Sequence, residues 1–152
     1  MHLSATYVFN APVDTVWALL MDTERIGGCL PGAKGLKPLG NDRYEAELAV
    51  AVAAISGNFK GTIALQDKNP PHSYRLVVDG SGRPGFVNGQ AQVTLVPDGA
   101  RTTVQIEADA EVGGMIARVG QRLLEGVARM TMDRFYACLA ERVETSGPST
   151  QP

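Results

Sequence analysis

The sequence predicts an α+β fold, an antiparallel meander of roughly seven strands whose apolar face is covered by one long C-terminal helix, with two short helices after the first strand. Three observations predict it. From Lys34 to Gln105 apolar residues recur with a period of two, the pattern of half-buried strands. From Gly113 to Val143, GGMIARVGQRLLEGVARMTMDRFYACLAERV, the period lengthens to that of an amphipathic helix. Only short turns separate successive strands, so neighbours pair antiparallel, and a sheet with one apolar face must bury it against something. At about 1.5 Å per residue the helix spans on the order of 45 Å, enough to cross a curved sheet.

Each element has its own signal. His2 to Phe9 reads as a strand, and Pro12 suits the first turn of a helix because its missing N–H would be unpaired there anyway. Val13, Val16, Trp17 and Leu20 follow at helical spacing, with Trp17 as a core anchor rather than a ligand-stacking ring. Asp22 can cap a second helix through Ile26, which Gly27 and Gly28 interrupt before the turn Cys29-Leu30-Pro31-Gly32. In the strands, Tyr44, Ala46, Leu48, Val50 and Val52 share one face, as do Ile55, Gly57, Phe59, Gly61, Ile63 and Leu65. Tyr74, Leu76, Val78 and Gly80 continue that face after the Asn69-Pro70-Pro71 turn. Ala91, Val93 and Leu95, then Thr102, Val104, Ile106 and Ala108, complete it.

The helix carries two apolar stripes about a quarter-turn apart. Ile116, Val119, Leu123, Val127 and Met130 form one, and Leu124, Ala128, Met132, Phe135, Leu139 and Val143 form the other. The drift predicts that the two halves of the helix lean on different surfaces, Met115 to Met130 over a cavity if the inward strand face leaves one, and Met132 to Val143 on a closed core. Gly120 and Gly126 lie inside the helix at roughly 1 kcal/mol each relative to Ala, as if making room for something. On the inward strand face Gly57, Gly61, Gly80, Ala91, Ala108 and Ala110 leave two readings open, a cavity or glycines that only permit curvature. For the cavity, the lining candidates are Phe59, Leu76, Phe86, Val104, Met115, Val119, Leu123 and Val127.

At 152 residues one domain is expected, residues 1–145, followed by a polar, aperiodic, disordered tail at 146–152. A formal charge of -2 leaves no electrostatic footprint for nucleic acid. The alternating N-terminus resembles neither a signal peptide nor a membrane span, which predicts a cytoplasmic protein. There Cys29 and Cys138, without CxxC spacing, are expected to be buried small hydrophobes rather than a disulfide. Gly80-Ser81-Gly82-Arg83-Pro84-Gly85 has the letters of a dinucleotide loop, yet strand rather than helix follows it. With only His2 and His72, both poorly placed, neither a metal site nor a Ser-His-Asp arrangement can be assembled, and no cofactor is expected. Tyr44 and Tyr74 lie inward and read first as core, then as hydroxyls available to a ligand. Arg118, Arg122 and Arg129 read as solvated surface, then as a partner or membrane contact.

Trp17 to Gly32, WALLMDTERIGGCLPG, resembles the VW-x-x-L-x-D-x-E and C-x-PG signature of the carbon monoxide dehydrogenase CoxG family. Ile55 to Leu65, ISGNFKGTIAL, is similar to that family's G-x-F-x-G strand, and Val112 to Leu124, VGGMIARVGQRLL, to the start of its long helix. Ala53-Ala54 stands where the family often has Gly-Pro. The resemblance implies the START/Bet v 1-like (SRPBCC) superfamily and a helix-grip fold, a curved seven-stranded sheet around the C-terminal helix with an apolar cavity between. It further implies a non-enzymatic protein that binds a quinone or lipid and assists a molybdenum carbon monoxide dehydrogenase or related hydroxylase, peripherally at the inner face of the membrane. Two alternatives accompany it: a cyclase or hydratase with Tyr44 or Tyr74 as acid, and a pure assembly or recruitment factor docking through the arginines.

Overall fold

The computed structural model of the chain describes residues 1–30, 32–52 and 55–146. Strand β1 (His2–Phe9) is followed by α1 (Val13–Leu20) and α2 (Thr23–Cys29). Six more strands come next: β2 (Ala33–Gly40), β3 (Arg43–Val52), β4 (Ile55–Asn69), β5 (Ser73–Gly82), β6 (Gly85–Asp98) and β7 (Arg101–Gly113). A 3₁₀ turn (Met115–Val119) leads into α3 (Gln121–Ser146). The expected tail beyond Ser146, Pro31 of the expected turn and the Ala53-Ala54 pair lie outside the described residues.

All seven strands form one antiparallel sheet in the order β1-β7-β6-β5-β4-β3-β2. The meander is read directly from the short turns; at the β2–β3 hairpin Asn41 and Asp42 take positive φ, 55° and 58°, the conformation that matches a two-residue turn to strand twist. β1 closes the far edge by pairing with β7, Leu3 opposite Ala108 and Tyr7 opposite Val104. The inward faces are those that the alternation predicts: Phe9, Tyr74, Val93, Leu95, Val104 and Ile106 are buried, whereas Gln92, Gln105 and Glu107 between them are exposed. Leu139, Val143, Val16 and Leu20 complete this core from the helices. Buried Thr102 donates its hydroxyl to the Ala11 carbonyl at 2.8 Å, which satisfies that polar group inside the core.

Three local expectations are corrected. Pro12 is the cap of α1 rather than its first helical residue, with its carbonyl accepting from the Val16 N–H at 3.1 Å. α2, capped as expected by Asp22 Oδ1 accepting from the N–H groups of Glu24 and Arg25, continues through Gly27 and Gly28 to Cys29. Gly27 does not break it because its bare backbone is pressed against β2; a Cβ there would sit 3.2 Å from the Leu36 nitrogen. The C-terminal helix is not continuous from Gly113. Gly114 and Gly120 have φ of 82° and 98°, a region open to glycine and costly for other residues, so the chain makes a 3₁₀ turn and restarts at Gln121.

That break explains the drifting stripe. Ile116 is buried on the separate turn, while Leu123 and Met130, on α3, are 42% and 47% exposed. The other stripe holds: Leu139 and Val143 are buried, and Met132 and Phe135 pack against the core. Neither Gly120 nor Gly126 makes room for a neighbour, since a Cβ at either would meet no atom within 4 Å; Gly120 is required by its positive φ, whereas no positive φ holds Gly126 within α3. Gly126→Ala is therefore expected to stabilise the fold by about 1 kcal/mol through helix propensity and a less flexible unfolded chain. A urea midpoint that rises without a change in slope would show it, and a fall would show a hidden packing role.

The cysteines are the largest correction. Cys29 in α2 and Cys138 in α3 form a disulfide with their Cα atoms 5.6 Å apart, across 109 residues of sequence. No local spacing carries such a pairing; it follows from α2 lying against α3.

Candidate functional site

Between the concave face of the sheet and α3 lies a cavity of about 350 Å³, open to solvent at its mouth. Its floor is made where small residues face one another across β6 and β7: Ala91 pairs with Ala108, and Gly89 with Ala110. Larger inward residues rise at the side, Leu76 and Val78 on β5 beside Leu65 and Ile63 on β4, with Tyr44 on β3. Thr23 and Ile26 of α2 close one end, and Thr131, Met132, Phe135 and Tyr136 of α3 form the roof. The two open readings of the small residues thus divide by position. Ala91, Ala108 and Ala110 line the cavity, whereas a Cβ at Gly61 would overlap the backbone of Asp79 and Gly80. Gly61 serves close approach of β4 to β5.

The wall is almost wholly apolar. Asp109 borders the cavity, but its carboxylate faces outward and Oδ1 lies 2.8 Å from His2 Nδ1. The side-chain hydroxyl of Thr131 donates to the Val127 carbonyl at 2.8 Å. Tyr74 and Tyr136 are both buried, and burial raises each phenol above its ordinary pKa, so both are neutral donors at any working pH. Their rings are fixed by aromatic neighbours. Trp17 meets Tyr74 edge-on at 5.7 Å, and Tyr7 stacks on Tyr136 at 4.4 Å, with Phe9 and Phe135 edge-on to it. Tyr7 differs from both in having a partner: its hydroxyl donates to Asp133 Oδ1 at 2.7 Å.

Of the eight lining candidates, Leu76 lies on this wall. Val104 is fully buried in the packed core nearby. Phe59 is buried at the other end of β4, opposite Leu48 and Gly82. Phe86 pairs with Ser81 and Gly113 on the outer face of the sheet, opposite to Val87 on the wall, and is 37% exposed, while Met115 and Leu123 face solvent and Val119 and Val127 are half-buried off the wall. Periodicity assigned faces correctly but not depth along a strand. It also put the roof one stretch too early: α3 covers the cavity with Thr131–Tyr136, not with residues before Met130. Tyr136, Ile26 and Tyr44 are wall residues absent from the candidate set; of these, Tyr44 was already placed inward by alternation.

Other motifs supply no second site. The glycine-rich stretch from Gly80 to Gly85 is the β5–β6 hairpin, Gly82 pairing with Gly85. Among the described residues no group of His, Cys, Asp and Glu is placed to hold a metal, and no helix is long and apolar enough to cross a membrane.

Residues 7–144 match the CoxG family of carbon monoxide dehydrogenase subunits. The chain belongs to that family. A conserved protein from Geobacillus kaustophilus is 34% identical over 96% of this chain and 97% of its own, with a TM-score of 0.92. A START superfamily protein from Mycobacterium smegmatis is 20% identical, covering 95% and 97% with a TM-score of 0.70. An aromatase/cyclase from a Streptomyces species is 18% identical, covering 95% and 93% with a TM-score of 0.68. These two share the fold, the helix-grip architecture of the START/Bet v 1-like superfamily. No curated protein matches the chain.

Proposed function

We propose that this CoxG-family chain is a non-enzymatic carrier of an apolar small molecule, a quinone or a lipid. The observation that carries this reading is the cavity, about 350 Å³ of space walled by Leu, Ile, Val, Ala and aromatic side chains. Pockets of this kind bind by removing apolar surface from water, at roughly 25 cal/mol per Å² of surface buried. A cavity of such a size left empty costs packing energy, which a resident ligand offsets. Among the described residues of the wall, the one carboxylate is paired with His2 on the outer face, and burial raises the pKa of Tyr74 and of Tyr136, which makes these two phenols poorer acids.

The family's name connects the carrier to a carbon monoxide dehydrogenase, so the expected setting is assistance to that enzyme or a related hydroxylase, in the cytoplasm at the inner face of the membrane. Exposed Arg118 and Arg122 beside exposed Met115 and Leu123 offer a surface of mixed charge and hydrophobicity for such a peripheral contact.

Organic extraction of the protein purified from its native cells, followed by mass spectrometry, is expected to recover a quinone or lipid in near-stoichiometric amount. An empty protein that also takes up neither class from detergent-free suspension would overturn the reading.

A further inference from the structure

Tyr74 and Tyr136 line the cavity from opposite sides, β5 in the sheet and α3 in the roof. Each is buried, at 5% and 8% exposure, and among the described residues neither hydroxyl has a hydrogen-bond partner. Two unpartnered buried donors in one apolar site are costly, because each has given up water without replacement. Nor can they swing out to find it: the edge-on contact with Trp17 holds the Tyr74 ring, and stacking against Tyr7 with edge contacts to Phe9 and Phe135 holds that of Tyr136. Phenylalanine would fill both places without the cost. Rigid donors kept in an otherwise apolar wall are what a site needs if it is to read an acceptor atom on an apolar molecule.

We infer that Tyr74 and Tyr136 are the polar specificity determinants of the cavity, donating hydrogen bonds to a carbonyl oxygen of the bound molecule. This rests on the apolar-carrier reading and narrows it: the ligand is an apolar ketone, quinone or ester, and a pure hydrocarbon of the same shape is a poor substitute. A site built to donate to an oxygen rejects the analogue lacking it, since the donors are then left buried and unpaired.

Duroquinone and durene share a tetramethylated six-carbon ring and differ by the two carbonyl oxygens, so they isolate this effect. Their affinities are to be measured by isothermal titration calorimetry on the wild type, Tyr74→Phe and Tyr136→Phe, with urea unfolding of each protein alone. The wild type is expected to bind duroquinone at least tenfold more tightly than durene. Each Phe variant loses on the order of tenfold for duroquinone, keeps its durene affinity, and is as stable as the wild type or more so. Equal wild-type affinity for the two probes overturns the inference while durene binding keeps the carrier reading intact. Parallel loss of both probes, or Phe variants that are markedly less stable, overturns it too, by showing that the hydroxyls serve the fold. If neither probe binds the wild type, the carrier reading itself falls.

Discussion

Reducing the Cys29–Cys138 disulfide is expected to lower the folding stability of this protein by about 4 kcal/mol. The bond joins α2 to α3 across 109 residues, so the loop it closes contains every strand of the sheet from β2 to β7 and leaves out β1 alone. Cross-linking a chain over so long a loop removes much of the freedom of the unfolded state, and the chain-entropy account puts that near the upper end of the usual range. The folded state should change little on reduction. The helices remain held in one core by Leu19 and Leu20 of α1, Ile26 of α2 and Leu139 and Val143 of α3, and Arg142, one turn beyond Cys138, reaches back over Gly28 to place its Nε 3.1 Å from Cys29 Sγ. Against a total stability of about 5–15 kcal/mol for an ordinary domain, the loss is large enough to measure without ambiguity. Urea unfolding with and without reductant should show a lower midpoint and a steeper slope for the reduced protein, whose unfolded chain is more expanded. Coincident curves would mean that the bond constrains nothing in the unfolded chain. Because disulfides persist where thiols are not kept reduced, the thiol state of protein taken directly from its cells, read by alkylation and mass spectrometry, also tests the expected cytoplasmic setting.

The part of the fold that the sequence made legible is the part governed by local period. Strict alternation from Tyr44 to Ala108 assigned the inward faces, because burying one face of a pleated strand leaves only one register consistent with its apolar residues. The second helical stripe, Met132 to Val143, was legible for the same reason. What escaped depends on chain conformation or on distance in three dimensions. Gly120 looked like an ordinary weak point in a helix, but its φ of 98° ends one segment and permits another to begin. Gly27 looked like a breaker, and close contact with β2 holds it in the helix instead. Cys29 and Cys138 carried no local spacing, and only the stacking of α2 on α3 brings them together. The candidate site shows both sides of this. Tyr74, Leu76, Ala91 and Ala108 were on the correct face, yet nothing in a period says how far along the strands the helix will lean. Covering residues chosen one stretch too early on the helix, such as Leu123 and Val127, followed from that missing depth.

Filling the floor should remove the ligand without harming the fold. Ala91 and Ala108 face each other across β6 and β7 at the base of the cavity, and their methyl groups are what leaves it open. Ala108→Leu replaces a methyl by an isobutyl group in space that is otherwise unfilled, and Ala91→Leu does the same from the adjacent strand. Either is expected to weaken binding of the apolar ligand on the order of a hundredfold, roughly 2.8 kcal/mol, because a core-density wall cannot admit both the new side chain and the guest. Stability should stay level or rise by about 0.5–2 kcal/mol, the usual return from occupying a void, in contrast to the loss that follows when a packed site is overfilled. The two sites are neighbours, so the double variant need not show the sum of the single effects. Leu123→Ala supplies the decisive comparison. Leu123 faces solvent rather than the wall, so its removal should leave affinity unchanged, and a loss there equal to that of Ala108→Leu would place the guest outside the cavity, against the first turns of α3.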